Sequence, residues 1–349
     1  MIFKPAHPSN FDASLCAINQ RVSQDMNEKL LAEFKAEDVR HALKQMHPTK
    51  APRPDSMSPI FCQQYWEIVS PEVIKCVLDM LNSGVIPYGI NETYICLIPK
   101  VKSPQKITKY RPISLCNVIY KLISKVLANR LKSILAEVID ESQSAFVPGR
   151  LISDNVLVAF EMMHSIDHRR KEKEAIMVVL DISKAYDRVK WAYLEAMMGR
   201  MGFNERWISL IMMCVCTVEY SILINGEVKG KIIPTRGLRQ GDPISPYLFL
   251  LCVEGLSAML KKEEREGHLK GVAVSREAPQ ISHLFFVDNS VVFCKASVQE
   301  CDRVIKVLED YEGESGQKLN KGKTSLFFSI NTPREIQEYV QQKFGAQII

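Results

Sequence analysis

Residues 283–295 read HLFFVDNSVVFCK. Two apolar runs, rich in the aromatic and β-branched residues that suit a pleated surface, flank Asp288 and Asn289, which predicts two strands joined by a tight connection. Asp and Asn fit such a turn because their side chains bond to nearby backbone. A second run of strand length, AIMVVL (175–180), ends on Asp181. A buried strand has no reason to finish on a carboxylate unless that group is solvated or bound. Taken singly, each acid reads as an ordinary loop residue. Brought together from two strands of one sheet, their oxygens would hold hard divalent cations, as two-metal phosphoryl transfer requires. Asn289 could ligate through its amide oxygen, but it brings no negative charge.

The flanking pattern predicts the rest of that unit. Val189 onward is helical up to Gly202, and Val298–Tyr311 is a further helix. Tyr220–Ile224, Asn225-Gly226 and the segment to Ile233 read as a hairpin with a primed turn. Ser245-Pro246 opens an apolar helix reaching about Leu260. TSLFFSI (324–330) is a strand, and Thr332-Pro333 with Glu335 begins a last helix ending near Phe344. Helices against one face of a small antiparallel sheet make an α+β fold. The first fifty residues are helical in pattern, and prolines mark 49–59 as a loop. A helix is expected from Ser70-Pro71-Glu72 to the stop at Gly84. Val118–Leu135 reads as an amphipathic helix whose basic residues form a cationic face.

With 349 residues, 46% apolar and 24% charged, the chain can bury a substantial core and is not disordered by composition. The net charge is only +5, but its distribution is uneven. Between Thr93 and Ala136 stand nine basic side chains and no acid, a local field that favours phosphate. The ten cysteines contain no CxxC pair, which indicates reduced, mostly buried thiols in an intracellular protein. No apolar stretch of membrane-spanning length is present, and MIFKPAHPSNFD (1–12) lacks the apolar run of a signal peptide. Trp66, Trp191 and Trp207 have apolar helical surroundings and read as core, and His283 reads as a structural neighbour of its strand.

GLRQGDPISPYLF (237–249) is a second candidate site. Gly237 and Gly241 let backbone approach a ligand, Gln240 offers donor and acceptor, and Arg239 could meet phosphate. Asp242 reads as an ordinary acid near a helix start. Tyr186, five residues beyond Asp181, could form a wall against a sugar ring or be a plain aromatic at the start of a helix.

YRPISLCNVIYKLISKVLANRLK (110–132), QSAFVPGRLISDNVLVAFE (143–161), LDISKAYDRVKW (180–191), RGLRQGDPISPYLF (236–249) and ISHLFFVDNSVVFCKA (281–296), in this order, resemble the reverse transcriptase domain of plant non-LTR, LINE-type retrotransposons. KAPRPD and LIPK precede this core, and SGQKLNKGKTSLFFS (315–329) follows it, so the resemblance spans roughly 36–329. It implies a polymerase-type right hand: an N-terminal extension (1–35), helical fingers with the first part of the palm (36–174), the palm with its small antiparallel sheet (175–329), and a terminal helix that begins a thumb or connection (330–349). The thumb is expected to be missing or truncated. The implied activity is extension of a DNA primer on an RNA template from deoxynucleoside triphosphates, with two Mg²⁺ ions or Mn²⁺ in their place. By the same likeness Asp181 and Asp288 are the metal-binding catalytic residues, and Asn289 stands beside them in the catalytic box. Tyr186 is the sugar gate, Gln240 and Gly241 contact nucleotide and template, Arg111 and Lys100 reach the triphosphate, and Lys323 lies near the leaving pyrophosphate. A nuclear location follows from the family's way of life.

The departures from the family pattern matter as much. The box ends in two aspartates in the family but reads Asp288-Asn289 here, and Arg53 and Ser56 replace glycines of the fingers loop. Neither the endonuclease nor a ribonuclease H domain expected of such an element is evident, which fits a fragment or a decaying copy. An inactive nucleic-acid-binding remnant is therefore the alternative to a working polymerase, and an intron maturase is a third, less matching lineage.

Overall fold

A computed structural model describes residues 11–49, 54–55, 57–168, 175–275, 277–286 and 289–349. In chain order the elements begin α1 (Asp12–Ala17), α2 (Gln24–Leu31), α3 (Ala36–Lys44), α4 (Pro59–Gln64), α5 (Trp66–Ser83), β1 (Glu92–Pro99), β2 (Tyr110–Cys116), α6 (Val118–Lys132) and α7 (Leu135–Val138). They continue with α8 (Ile152–Asp167), β3 (Ala175–Ser183), α9 (Trp191–Met201), α10 (Glu205–Cys216), β4 (Glu219–Ile224), β5 (Glu227–Ile232) and α11 (Ser245–Arg265). The hairpin strands β6 (His283–Phe286) and β7 (Asn289–Lys295) follow, then α12 (Val298–Ser315), β8 (Lys318–Leu319), β9 (Ser325–Phe328), α13 (Arg334–Phe344) and β10 (Gln347–Ile348). The fold is α+β. Its two compact units are interleaved along the chain: the first takes the segments up to Arg21, Leu135–Met201 and Leu250–Ile349, and the second takes Val22–Ile134 and Gly202–Phe249.

The first unit is built on a sheet of order β10-β9-β3-β7-β6, with β8 pairing the end of β3. Its ladders are antiparallel except β10 on β9. β3 and β7 are almost continuously buried, which explains why both read as unbroken apolar runs rather than alternating ones. Met162 and Ile166 of α8 pack with Ala175 and Met177 of β3, Leu284 of β6, and Val291 and Phe293 of β7. Truncating the fully buried Phe293 to Ala would cost about 3–5 kcal/mol.

The base of the β6–β7 hairpin is fixed by a polar contact inside this core. His283 is 2% exposed, and its two ring nitrogens lie 2.8 Å from Ser257 Oγ of α11 and 2.9 Å from Ser282 Oγ. It is a structural residue of the hairpin, as its sequence context suggests. Burial holds its pKa down at about 4, with Asp140 opposing and Lys261 assisting.

Around α6 the second unit forms a sheet of order β2-β1-β4-β5, in which β1 and β4 run parallel. The expected hairpin is present: Asn225 (φ 51) and Gly226 (φ 82) both take positive φ, the signature of a type I′ turn. The expected helix at Ser70-Pro71 begins earlier, at Trp66, with Pro71 inside α5. Pro71 is the sixth residue of α5, past the first turn, so the helix forgoes the bond that an amide there would make to the Glu67 carbonyl oxygen. Gly84 ends the helix in the left-handed conformation at φ 69.

α6 itself corrects the expectation of a cationic face. Lys121 is 5% exposed, and most of the helix is buried on every side. Arg130 donates to the carbonyl oxygens of Leu30, Ala32 and Glu33 beyond α2, pairs with Asp38 at 3.1 Å and covers the Phe34 ring. The start of α6 is capped from far along the chain, since the Asp55 carboxylate accepts from Val118 N at 2.7 Å. All ten cysteines are free and six are buried, and no helix among the described residues is long and apolar enough to cross a membrane.

His283 sets an acid sensitivity whose sign follows from its environment. The native state favours the neutral ring, so the stability it confers is complete above pH 6.5 and is lost as pH falls towards 4. Glu254, pushed up to about 7 by burial, acts oppositely over pH 4.5–7, so the comparison must be with a variant. In urea unfolding, the stability advantage of the parent over His283→Gln should shrink by about 3 kcal/mol between pH 7 and pH 4.

Candidate active site

The register of β3 against β7 sets Asp181 directly opposite Asn289. Side chains of directly paired residues project to the same face with Cβ atoms about 4.5–5.5 Å apart. Phe286 in turn pairs with Asn289, which leaves only positions 287 and 288 between β6 and β7. Asp288 lies outside the described residues, as do Arg53 and Ser56. Asn289 is exposed, whereas the Asp181 side chain is only 19% exposed.

A tight turn from the far end of the sequence holds Asp181 in place. β8 pairs with β3 just beyond it, through Ile182 with Leu319 and Ser183 with Lys318. The next residue, Asn320, donates its backbone N–H to the Asp181 carbonyl oxygen at 2.8 Å and its side-chain N–H to Asp181 Oδ2 at 2.8 Å. Asn320 O then accepts from the backbone N–H groups of Lys323 and Thr324, so the chain curls back and brings Lys323 Nζ to 3.4 Å from Asp181 Oδ1. Sequence reasoning placed Lys323 near the site but missed Asn320. No periodicity marks Asn320, and its contact depends on the register of a two-residue strand.

Tyr186 follows β3 in the turn 184–188 and is half-buried. Lys184 takes φ 51 there, Asp187 N bonds Lys184 O at 3.0 Å, and Gln317 Nε2 donates to Ala185 O at 3.2 Å. The turn is thus tied down on both sides of the ring.

The remaining candidates belong to the second unit. Lys100, Lys102, Lys106, Lys109 and Arg111 are exposed along the β1–β2 hairpin. Arg111 pairs with Ile98, and Lys100 N donates to Lys109 O at 2.8 Å. The cationic surface expected on α6 is therefore carried by this arm. Gln240 and Gly241 dock on the same strand, since Ser114 N donates to Gln240 O at 2.9 Å. Gly241 has φ 100, and a Cβ there would meet Ser114 O at an ordinary contact distance of 3.4 Å, so glycine is needed for its conformation. Arg239 does not offer its charge to a ligand. It is 4% exposed and ion-paired at 3.0 Å with Asp242, which is itself buried rather than a surface acid at a helix start.

The donors at Asp181 suit a hard divalent cation in kind, being carboxylate and amide oxygens. Among the described residues, the one grouping of three His, Cys, Asp or Glu donors is Glu263, Glu266 and His268 at the end of α11, not Asp181. Among the described residues at the end of this ladder, Asp181 carries a negative charge and its partner Asn289 adds none.

Comparison with known proteins shows the family. Residues 98–344 match the family model described as reverse transcriptase (RNA-dependent DNA polymerase). The chain belongs to that family. It is 28% identical over 304 residues to the uncharacterised 149 kDa protein of transposon TX1 from Xenopus laevis, and 27% identical over 276 residues to the Pol polyprotein of retrotransposable element R2DM from Drosophila melanogaster. These matches cover 87% and 79% of this chain but only 23% and 24% of those proteins. An uncharacterised mitochondrial protein of Arabidopsis thaliana is 47% identical over 76 residues, 22% of this chain and 62% of that protein. Reverse transcriptases work with divalent metals, a nucleic-acid template and primer, and nucleotides, consistent with the oxygen donors at Asp181.

The Asn320 contact has a measurable weight. Asn320→Ala should lower unfolding free energy by about 1–2 kcal/mol, because it removes a hydrogen bond to a partly buried carboxylate. Lys323→Ala should change it by less than about 0.5 kcal/mol, its ammonium being 68% exposed. Urea titrations of the two variants check both values.

Proposed function

We propose that this chain is the RNA-directed DNA polymerase domain of a non-LTR retrotransposon of the plant LINE type, acting in the nucleus to extend a primer 3′-hydroxyl on an RNA template. The observation that carries the reading is the pairing of Asp181 with Asn289 at the end of the β3–β7 ladder, beside Asp288 in sequence. In this reading residues 36–174 form the fingers with the first part of the palm, and residues 175–329 the palm. Asp181 and Asp288 would hold Mg²⁺, which when bound lowers the pKa of the attacking hydroxyl and neutralises charge on the triphosphate. Asn320 holds one oxygen of the Asp181 carboxylate, and Lys323 stands where it can meet the leaving pyrophosphate. Tyr186 bounds the sugar, Gln240 and Gly241 meet the nucleotide and template, and Arg111 with Lys100 attracts the triphosphate from the β1–β2 arm.

Asn289 supports a second reading, a domain that binds nucleic acid but turns over poorly. A carboxylate-to-amide exchange keeps shape and removes charge, so folding survives while affinity for the metal falls. Backbone-phosphate binding by the exposed cations of the β1–β2 arm would persist and weaken as salt rises.

Primer extension on an RNA template with Mg²⁺ separates the readings. Asn289→Asp should extend at least about tenfold faster than the parent, and Asp181→Ala in either background should abolish extension. Equal rates for the parent and Asn289→Asp would remove the role given to charge at 289. Salt-sensitive binding without extension in either would select the binding remnant.

A further inference from the structure

The buried charges on either side of Gln240-Gly241 have no part in the chemistry above, yet they are among the most thoroughly partnered groups in the protein. Arg239 and Asp242 side chains are 3% and 2% exposed and pair at 3.0 Å. Arg239 also donates to Cys214 O at 2.9 Å, to Thr93 Oγ1 at 3.3 Å and to Asn91 Oδ1, and its guanidinium lies 3.9 Å over the Tyr120 ring. Asp242 accepts from Tyr120 Oη at 2.7 Å and from Ser124 Oγ, which in turn accepts from Ile244 N at 3.2 Å. The cluster thus ties the loop to β1, α6 and the end of α10, all within the second unit.

A buried ion pair is a costly way to gain stability, because apolar side chains of similar volume often serve as well. What it supplies is direction: a planar guanidinium with several fixed acceptors admits few positions for the backbone that carries it. Gln240 and Gly241 lie between the two anchored residues, and only one backbone bond, Ser114 N to Gln240 O, holds them to β2.

We propose that Arg239 and Asp242 are positioning residues, a buried clamp that presets the Gln240–Gly241 backbone for nucleotide selection. The proposal rests on the nucleotide-contacting role assigned above to Gln240 and Gly241. If the clamp acts by position, replacing the pair with apolar residues should leave the fold standing and loosen the loop selectively. A purely structural pair would leave the loop as it was, or loosen the whole unit evenly.

The test uses the full chain carrying Arg239→Met with Asp242→Leu, and Asp242→Asn as the half-broken form. Hydrogen exchange of peptides spanning 236–244 should quicken at least about tenfold in the double variant, while α6 peptides keep the parent rate. In the Asn289→Asp background, the double variant should raise KM for the incoming deoxynucleotide at least about tenfold, with primer–template affinity within about twofold of the parent. A folded double variant with unchanged loop exchange and unchanged KM overturns the clamp, and so does equal loosening of loop and α6. Should Asn289→Asp itself fail to extend primers, the polymerase reading fails, and loop exchange alone still decides the clamp. Loss of folding in the double variant would overturn it as well, because the pair would then be structural.

Discussion

Seven backbone pairings, from Ala175 with Lys295 to Asp181 with Asn289, bind β3 to β7, and the chemistry of the domain depends on their register. Side chains along a strand alternate faces, so a slip of one residue would put Leu180 opposite Asn289 and turn Asp181 to the other side. It would also misplace Val178, Leu180, Val292 and Phe293, all of which are buried. The apolar packing that stabilises the sheet therefore also aims the carboxylate. Fold and site are fixed by the same contacts, which is why a polar box can end two apolar strands without disrupting them.

Charge at the strand ends is a separate matter from shape. Asp181 has each carboxylate oxygen engaged, one by the Asn320 amide and the other by the Lys323 ammonium. The amide contact is short and partly buried, whereas the ammonium is exposed and its pairing is worth at most about 1 kcal/mol. Asn320 thus sets direction and Lys323 only biases charge. With an amide at 289, the residue paired with Asp181 brings an oxygen but no negative charge. The second unit uses a different device: it buries the charges of Arg239 and Asp242 almost completely, while the cations of the β1–β2 arm stay exposed.

Much of this was legible in the sequence, and the failures have physical reasons. The β6–β7 hairpin, the apolar run leading to Asp181, the Asn225-Gly226 turn, and α12, β9 and α13 were readable because long apolar runs and turn residues carry local information, although β3 continues past Asp181 to Ser183. β1 and β2 were missed because they are half-exposed and their basic residues mask the strand pattern. The α6 lysines and arginine looked like a solvated face, but periodicity records where cations fall, not whether a carbonyl cluster such as that beyond α2 will absorb one. Arg239 and Asp242 read as a phosphate ligand and a surface acid for the same reason. Their partners Cys214, Tyr120 and Asn91 lie 25, 122 and 148 residues away, and no local signal reveals them. Asn320 depends on a two-residue strand that no propensity scale would find.

Cross-linking offers the sharpest check on that register. Cysteines introduced together at Asp181 and Asn289 face each other across the ladder and should form a disulfide under mild oxidation, identified by mass spectrometry of the linked peptides. Cysteines at Leu180 and Asn289 face opposite sides of the sheet and should remain unlinked. Efficient linkage of the second pair with none of the first would contradict the register, and with it the site built on Asp181.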